Sequence, residues 1–247
     1  MNNKDSVDAD ALLRRVGLRH RIGDLTYAAE SFDFLNPSFS LAGEDLILRK
    51  ILKDKLVSRL PGVYVDVGAL HPFFGSNTYL FYMYGWSGIC IDANRSYAET
   101  FAKVRPNDTF VHSAVCDSER ELYFARHLSN TGMSQVFASA DDIEGDFGEP
   151  VKVPGRPLSA ILDEYLTSGG ELDLMSVDVE DMDLEVLRSN QWDKYRPRVL
   201  CAEDRGIAAK DPASSSLVRF MSAQGYAVSA IAPPNVFFQD QAYHPIV

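Results

Sequence analysis

The chain has 247 residues, 46% of them hydrophobic and 24% charged, enough to bury the core of one full-sized α/β domain with at most a short appendage. Its 35 acidic against 24 basic side chains give a formal net charge of −11, which argues against sequence-independent nucleic-acid binding, because that depends on Lys and Arg contacts to phosphates. Three scattered cysteines (Cys90, Cys116 and Cys201) fit neither a disulfide framework nor a zinc cluster and read as buried thiols; with no apolar run of membrane-spanning length and no signal core in MNNKDSVDADALLRR, the expectation is a soluble, cytoplasmic protein.

Residues 1–58 read as a helical extension. ALLRRVGLRHRIGDL has apolar residues at mixed helical spacing, and EDLILRKILKDKLVSRL (44–60) keeps a helical period until Pro61-Gly62. From residue 59 the pattern alternates. VYVDVG (63–68) predicts a buried parallel strand, SNTYLFYMY (76–84) a helix capped by Ser76 or Asn77, and SGICIDAN (87–94) a second strand. RSYAETFAKVR (95–105) predicts a helix halted by Pro106, and TFVHSAV (109–115) a third strand. ELYFAR continues as a strand, but residues 126–157 are rich in Gly, Ser, Asp and Pro and read as a long excursion, partly hairpin and partly loop, of the kind that forms lids. The alternation resumes with a helix at 156–166, a strand at 172–179, a helix at 182–190, a fifth strand at 196–204 and a helix at 214–224. An antiparallel hairpin, 226–232 and 235–240, closes the chain. The fold class predicted is α/β: a Rossmann-like methyltransferase fold with a mostly parallel seven-stranded sheet and a C-terminal antiparallel hairpin, over residues 59–247.

In such sheets ligands bind beyond the carboxyl ends of the strands. Four of the parallel strands deliver an acid there: Asp66, Asp92, Asp178 and Glu203. The loop after the first strand, Gly68-Ala69-Leu70-His71-Pro72-Phe73, lacks the second and third glycines of a dinucleotide fingerprint, so NAD or FAD is not expected. S-adenosylmethionine has no phosphate to cradle and needs only one close backbone approach, which Gly68 can give. A carboxylate at Asp92 can accept both hydroxyl hydrogens of a ribose.

GVYVDVGALHPFFGSNTYLFYMYGWSGICIDAN (62–94), LDLMSVDVEDMDLEVLRSNQWDKYRPRVLCAED (172–204) and the lead-in SFSLAGEDLIL (38–48) resemble, in order and spacing, the FkbM methyltransferase family. Two positions depart from it: members commonly have Asn at Leu70, and many have Gly at Asp181. The resemblance implies that Asp66, Gly68 and Ala69 line the methionine side of S-adenosylmethionine, that Asp92, Ala93 and Asn94 hold its ribose, and that Ser113, Ala114 and Val115 flank its adenine. Asn77 also reaches the cofactor in that reading. The implied acceptor is a hydroxyl on a glycan, glycolipid or secondary metabolite.

Methyl transfer to a hydroxyl needs a base or a metal. Asp178, Glu203 and Asp204 are placed like the metal-binding acids of catechol-type O-methyltransferases, and three carboxylates suit Mg²⁺ or another divalent cation. The other reading has Asp178 touching cofactor or substrate directly, Glu180 capping the next helix, and Glu203 and Asp204 pairing with arginines such as Arg205. His71 is a candidate base beside Asp178. His112 reads as a packed strand residue, and His127 and His244 are unassigned. Glu44 and Asp45 either close the site or serve as first-turn helix acids. The aromatic run from Phe73 to Trp86 reads as mostly core packing. Two rival functions stand beside methyl transfer: a metal-dependent glycosyltransferase using Asp178-Val179-Glu180 for a nucleotide sugar, and a non-catalytic partner subunit. A homo-oligomer is allowed by the sequence and not specified by it.

Overall fold

A computed structural model describes residues 36–58, 60–166 and 171–243. The sequence ALLRRVGLRHRIGDL and His244 lie outside them. The described residues from Ser38 onward form one compact unit.

Its centre is a seven-stranded sheet. In chain order the strands are β1 (Val63–Val67), β2 (Ser87–Asp92), β3 (Thr109–His112), β8 (Leu174–Val177), β9 (Val199–Glu203), β10 (Tyr226–Ala232) and β11 (Asn235–Asp240). Their spatial order is β10-β11-β9-β8-β1-β2-β3, so the chain reverses its direction of growth between β1 and β8. β11 is antiparallel to both β9 and β10, which leaves β10 running with the parallel strands. The expected closing pair is therefore one inverted strand inserted between two parallel ones.

Period-two alternation assigns the two faces. Val65, Val67, Ile89, Ile91, Met175 and Val177 pack against one set of helices: α5 (Leu158–Tyr165), α6 (Asp183–Arg188) and α7 (Ser216–Ala223). Tyr64, Cys90, Leu174 and Cys201 point the other way, onto α1 (Glu44–Ile51), α3 (Tyr79–Met83) and α4 (Ala98–Val104). A fully buried aliphatic or aromatic side chain contributes about 1.5–3 kcal/mol, so these two layers supply most of the driving force for the fold. All three cysteines are buried free thiols, as expected.

The structure differs from the sequence reading at several elements. The helical run 44–60 is broken at Leu52 into α1 and α2 (Lys53–Val57). Asp45 accepts from the Ser38 and Ser40 hydroxyls and the Phe39 N–H, and Glu44 accepts from the Ala42 N–H and the Asn235 amide, so both acids serve the helix start. In the aromatic run Phe81 and Trp86 are core, whereas Phe73, Phe74 and Tyr84 are exposed.

The third predicted strand also divides. β3 belongs to the large sheet, but after Ser113 the chain enters β4 (Ala114–Val115), part of a second sheet. That sheet holds β5 (Arg120–Ala125), β6 (Gln135–Phe137) and β7 (Val151–Arg156) in the order β4-β7-β5-β6. Leu122 and Val153 bury a small core of their own with Ala114 and Cys116. The excursion is thus ordered by strand pairing, and its tip is closed by a bridge between His127 and Phe147.

Candidate functional site

The reversal in strand order opens a crevice at the carboxyl ends of β1, β2 and β8. A cavity of about 250 Å³ lies there. It is lined on the large-sheet side by Gly68, Asp92, Asn94, Ser113, Asp178 and Glu203, with Ala93, Ala114, Val115 and Glu180 among them. The opposite wall comes from the second sheet, through Phe124 and Val136, and from residues 130–134 in the connection between β5 and β6.

Backbone geometry fixes the floor. Gly68 has φ +79°, and a Cβ there would stand 1.8 Å from the Asp178 carbonyl oxygen. The glycine is needed because β1 and the β8 terminus cross closely, a different reason from the ligand approach inferred from sequence. The Gly68 and Ala69 N–H groups both donate to the Ile91 carbonyl, at 2.9 and 3.2 Å. This locks the loop after β1 onto β2.

Asp92 is buried at the end of β2. One carboxylate oxygen accepts from the Leu70 N–H and the other from the Asn94 N–H, each at 2.7 Å. Each oxygen keeps acceptor capacity for one further donor. Burial pushes the carboxyl up to about 6, and the two backbone donors work against that rise. Asn94 accepts from the N–H and hydroxyl of Ser96, which starts the following turn. Ser113 sits where the chain changes sheets and donates to the carbonyls of Ala114 and Pro154.

Asp66, Ala69, Asn77, His71 and Asp204 stand outside the cavity lining. Asp66 points to the other face of the sheet and accepts from the Thr78 hydroxyl at 2.5 Å. The Asn77 amide donates to the Ser176 hydroxyl. Nδ1 of His71 accepts from the Phe73 and Phe74 N–H groups, and partial burial lowers the pKa of its ring. It braces its own loop. His112 is half-buried and bonds the Ala93 carbonyl at 3.0 Å. His127 accepts from the Asn130 N–H within the excursion.

The loop after β1 is also held by a residue that sequence reasoning missed. Arg105, at the end of α4, is fully buried. It pairs with Asp108 at 2.6 Å and donates to the Pro72 carbonyl, the Tyr64 and Thr78 hydroxyls and the Ser76 hydroxyl. Ser76 in turn accepts from the Thr78 and Tyr79 N–H groups and so starts α3. An Arg before a helix-stopping Pro carries no sign in the sequence that it turns inward.

The acid side of the cleft differs from the expected metal centre. The Asp204 carboxylate accepts from the Ser215 hydroxyl at 2.5 Å and from the Gly206 N–H, so it helps start α7. Glu203 pairs with Nε of Arg205 at 3.2 Å. Among the described residues no three metal-ligating side chains gather. Asp178, Glu203 and Asp204 therefore do not form the donor set that a divalent cation needs, because two of the three are committed to protein partners. Asp178 remains free to face the cleft. Burial, then the charges of Glu203 and Glu180, push it up to about 7. Asp183, the first residue of α6, accepts from the Glu203 N–H at 3.1 Å; burial and Asp178 push it up to about 8.

A family model described as the methyltransferase FkbM domain matches residues 66–228. No curated relative matches the chain. Among solved structures, a Klebsiella pneumoniae protein described as an O-methyltransferase is 12% identical, with 83% of this chain and 84% of that one covered and a TM-score of 0.42. The Burkholderia thailandensis 1,6-didemethyltoxoflavin-N1-methyltransferase, with 1,6-didemethyltoxoflavin and S-adenosylhomocysteine bound, is 11% identical over 80% of this chain and 76% of that one, at a TM-score of 0.40. A Pyrococcus horikoshii protein described as an RNA methyltransferase is 11% identical over 84% and 92%, also at 0.40.

Proposed function

The chain belongs to the methyltransferase FkbM domain family, and from that premise we propose that it transfers a methyl group from S-adenosylmethionine to a hydroxyl on a glycan, glycolipid or secondary metabolite. The observation that carries the reading is Asp92. It is a buried carboxylate at the strand-order reversal, held by two backbone N–H groups, with one acceptor position left on each oxygen.

Asp92 would take the two ribose hydroxyls, with Asn94 beside it and Ser113 and Ala114 against the base. Gly68 lies on the same floor and shapes the methionine side. The bound sulfonium supplies a methyl group already activated for transfer. What remains for the protein is to align an acceptor oxygen and remove its proton. Asp178 suits that role, because it lines the cleft and its pKa of about 7 makes it a proton acceptor near neutrality. His71 is set aside as the base, since its accepting nitrogen is occupied by its own loop.

Calorimetric titration with S-adenosylhomocysteine tests the cofactor reading. Wild-type protein should bind, and Asp92→Ala should bind at least about 100-fold more weakly, the loss of two charge-assisted hydrogen bonds of about 1.5–3 kcal/mol each. Affinity should also fall as the pH drops below about 6, where Asp92 takes up a proton and gives up an acceptor. Equal binding by wild type and Asp92→Ala would remove the central argument.

A further inference from the structure

The acceptor side of the cleft has an unusual charge distribution. Asp178, Glu180 and Glu203 all line it, and among the described lining residues there is no Lys, Arg or His. Like charges at the ends of adjacent strands need a counter-ion. In the structure Arg205 meets that need from just behind the lining. All three guanidinium nitrogens are used, one for each carboxylate: Nε to Glu203 at 3.2 Å, one terminal nitrogen to Glu180, and the other to Asp181 at 3.4 Å.

The clamp joins the turn after β8 to the end of β9. Glu180 and Asp181 are consecutive non-glycine residues with φ of +56° and +76°. Such a backbone is costly and persists only where its surroundings hold it. The planar fork of one Arg ties this turn, after β8, to the end of β9. Glu180 and Glu203 are only 13% and 11% exposed on their side chains, so these two pairs are partly desolvated and worth more than surface ion pairs.

We propose that Arg205 is the built-in cation of the acceptor face, a positioning residue that holds Glu180 and Glu203 where a divalent metal would otherwise be required, so that the cleft works without one. This rests on the methyl-transfer reading for its purpose, but its test does not. A positive charge between Glu180 and Glu203 lies against one oxygen of each and repels a second cation. Removing it leaves two carboxylates, Glu180 and Glu203, without their counter-charge, and their hard oxygens are of the kind that Mn²⁺ or Mg²⁺ accepts.

The test is Mn²⁺ binding to the full chain, read by electron paramagnetic resonance, with S-adenosylhomocysteine titrations run in parallel. Wild type should bind Mn²⁺ only weakly, and Arg205→Ala should bind it at least about tenfold more tightly. Adding Glu203→Gln to Arg205→Ala should abolish the gain, which locates it. Arg205→Lys should stay close to wild type, since one fixed charge remains, whereas a general loosening of the loop would raise Mn²⁺ binding in both variants. Should Arg205→Ala fail to fold, Arg205→Gln makes the same comparison. Tight Mn²⁺ binding by wild type, or no gain in the charge-removing variants, would overturn the proposal. Failure of every variant to bind S-adenosylhomocysteine would count against the cofactor assignment and leave the Mn²⁺ comparison intact.

Discussion

Leu70 and Asp181, where the family resemblance leads one to expect Asn and Gly, both have left-handed backbones, at φ +49° and +76°. The family's Asn and Gly tolerate that region, because Asn bonds locally and Gly has no Cβ to clash. The departures are therefore backbone matters before they are substrate matters. Leu70→Asn should stabilise the protein by about 0.5–1 kcal/mol, measured by chemical denaturation, while the Leu70 N–H still donates to Asp92. A destabilised Leu70→Asn would mean that the packing of the leucine outweighs the strain. Gly68→Ala should cost at least about 3 kcal/mol or prevent folding, since its Cβ would overlap the Asp178 carbonyl oxygen. The letters at these positions were readable in the sequence, but their dihedral angles were not.

Among the elements, strands with strong β-branched patterns were legible, and so were the acids at the ends of β2, β8 and β9, whereas Asp66, read the same way, lies within β1 and faces away from the cleft. What escaped was everything set by pairing between distant segments. Residues 109–115 read as one strand because no Gly, Pro, Asn or Asp interrupts TFVHSAV, yet Ser113 divides it between two sheets. The excursion read as partly loop because its pairing, β5 with β7 and β4 with β7, spans long separations that leave no local period. The stop of α4 at Pro106 was predicted, but the inward turn of Arg105 was not. Arg105 ties the loop after β1 to Tyr64 and Asp108 through a dry network, so its removal should act on two readouts. Arg105→Ala should lower stability by about 3–5 kcal/mol, because Asp108 is left buried without its counter-charge. Any protein that still folds should bind S-adenosylhomocysteine more weakly through the loosened loop. Unchanged denaturation midpoints would show that the network is not a tether.

Across the whole molecule the charge of −11 is unevenly carried, and several acids are buried at the large sheet. Asp92, Asp178 and Asp183 stand at about 6, 7 and 8, all above the usual carboxylate range, with burial as the first cause. A carboxyl with a raised folded pKa binds its proton more readily when folded. Its stabilising contribution is complete below the unfolded value and is lost as the pH rises through the folded one. Stability should therefore decline from about pH 4 to about pH 8, each group's share of the slope ending near its own folded value. Asp183→Asn should flatten the upper part of that decline and raise the melting temperature at pH 9 by about 5 °C, because the amide keeps the size of the side chain without its charge. A parallel decline in wild type and Asp183→Asn would show that Asp183 is not among the groups responsible.

β4 and β7 run side by side, with Ala114 opposite Gly155 and Val115 opposite Arg156. The segment that builds the far wall of the cleft thus leaves the domain and rejoins it at neighbouring points. Such an arrangement is modular. The tip beyond the His127–Phe147 bridge can be lengthened, trimmed or exchanged with that of a relative while the strands carrying Gly68 and Asp92 keep their register. On the proposed function, a lineage could then change the far wall of the cleft without rebuilding how the methyl donor is held, and an engineer could graft along the same seam.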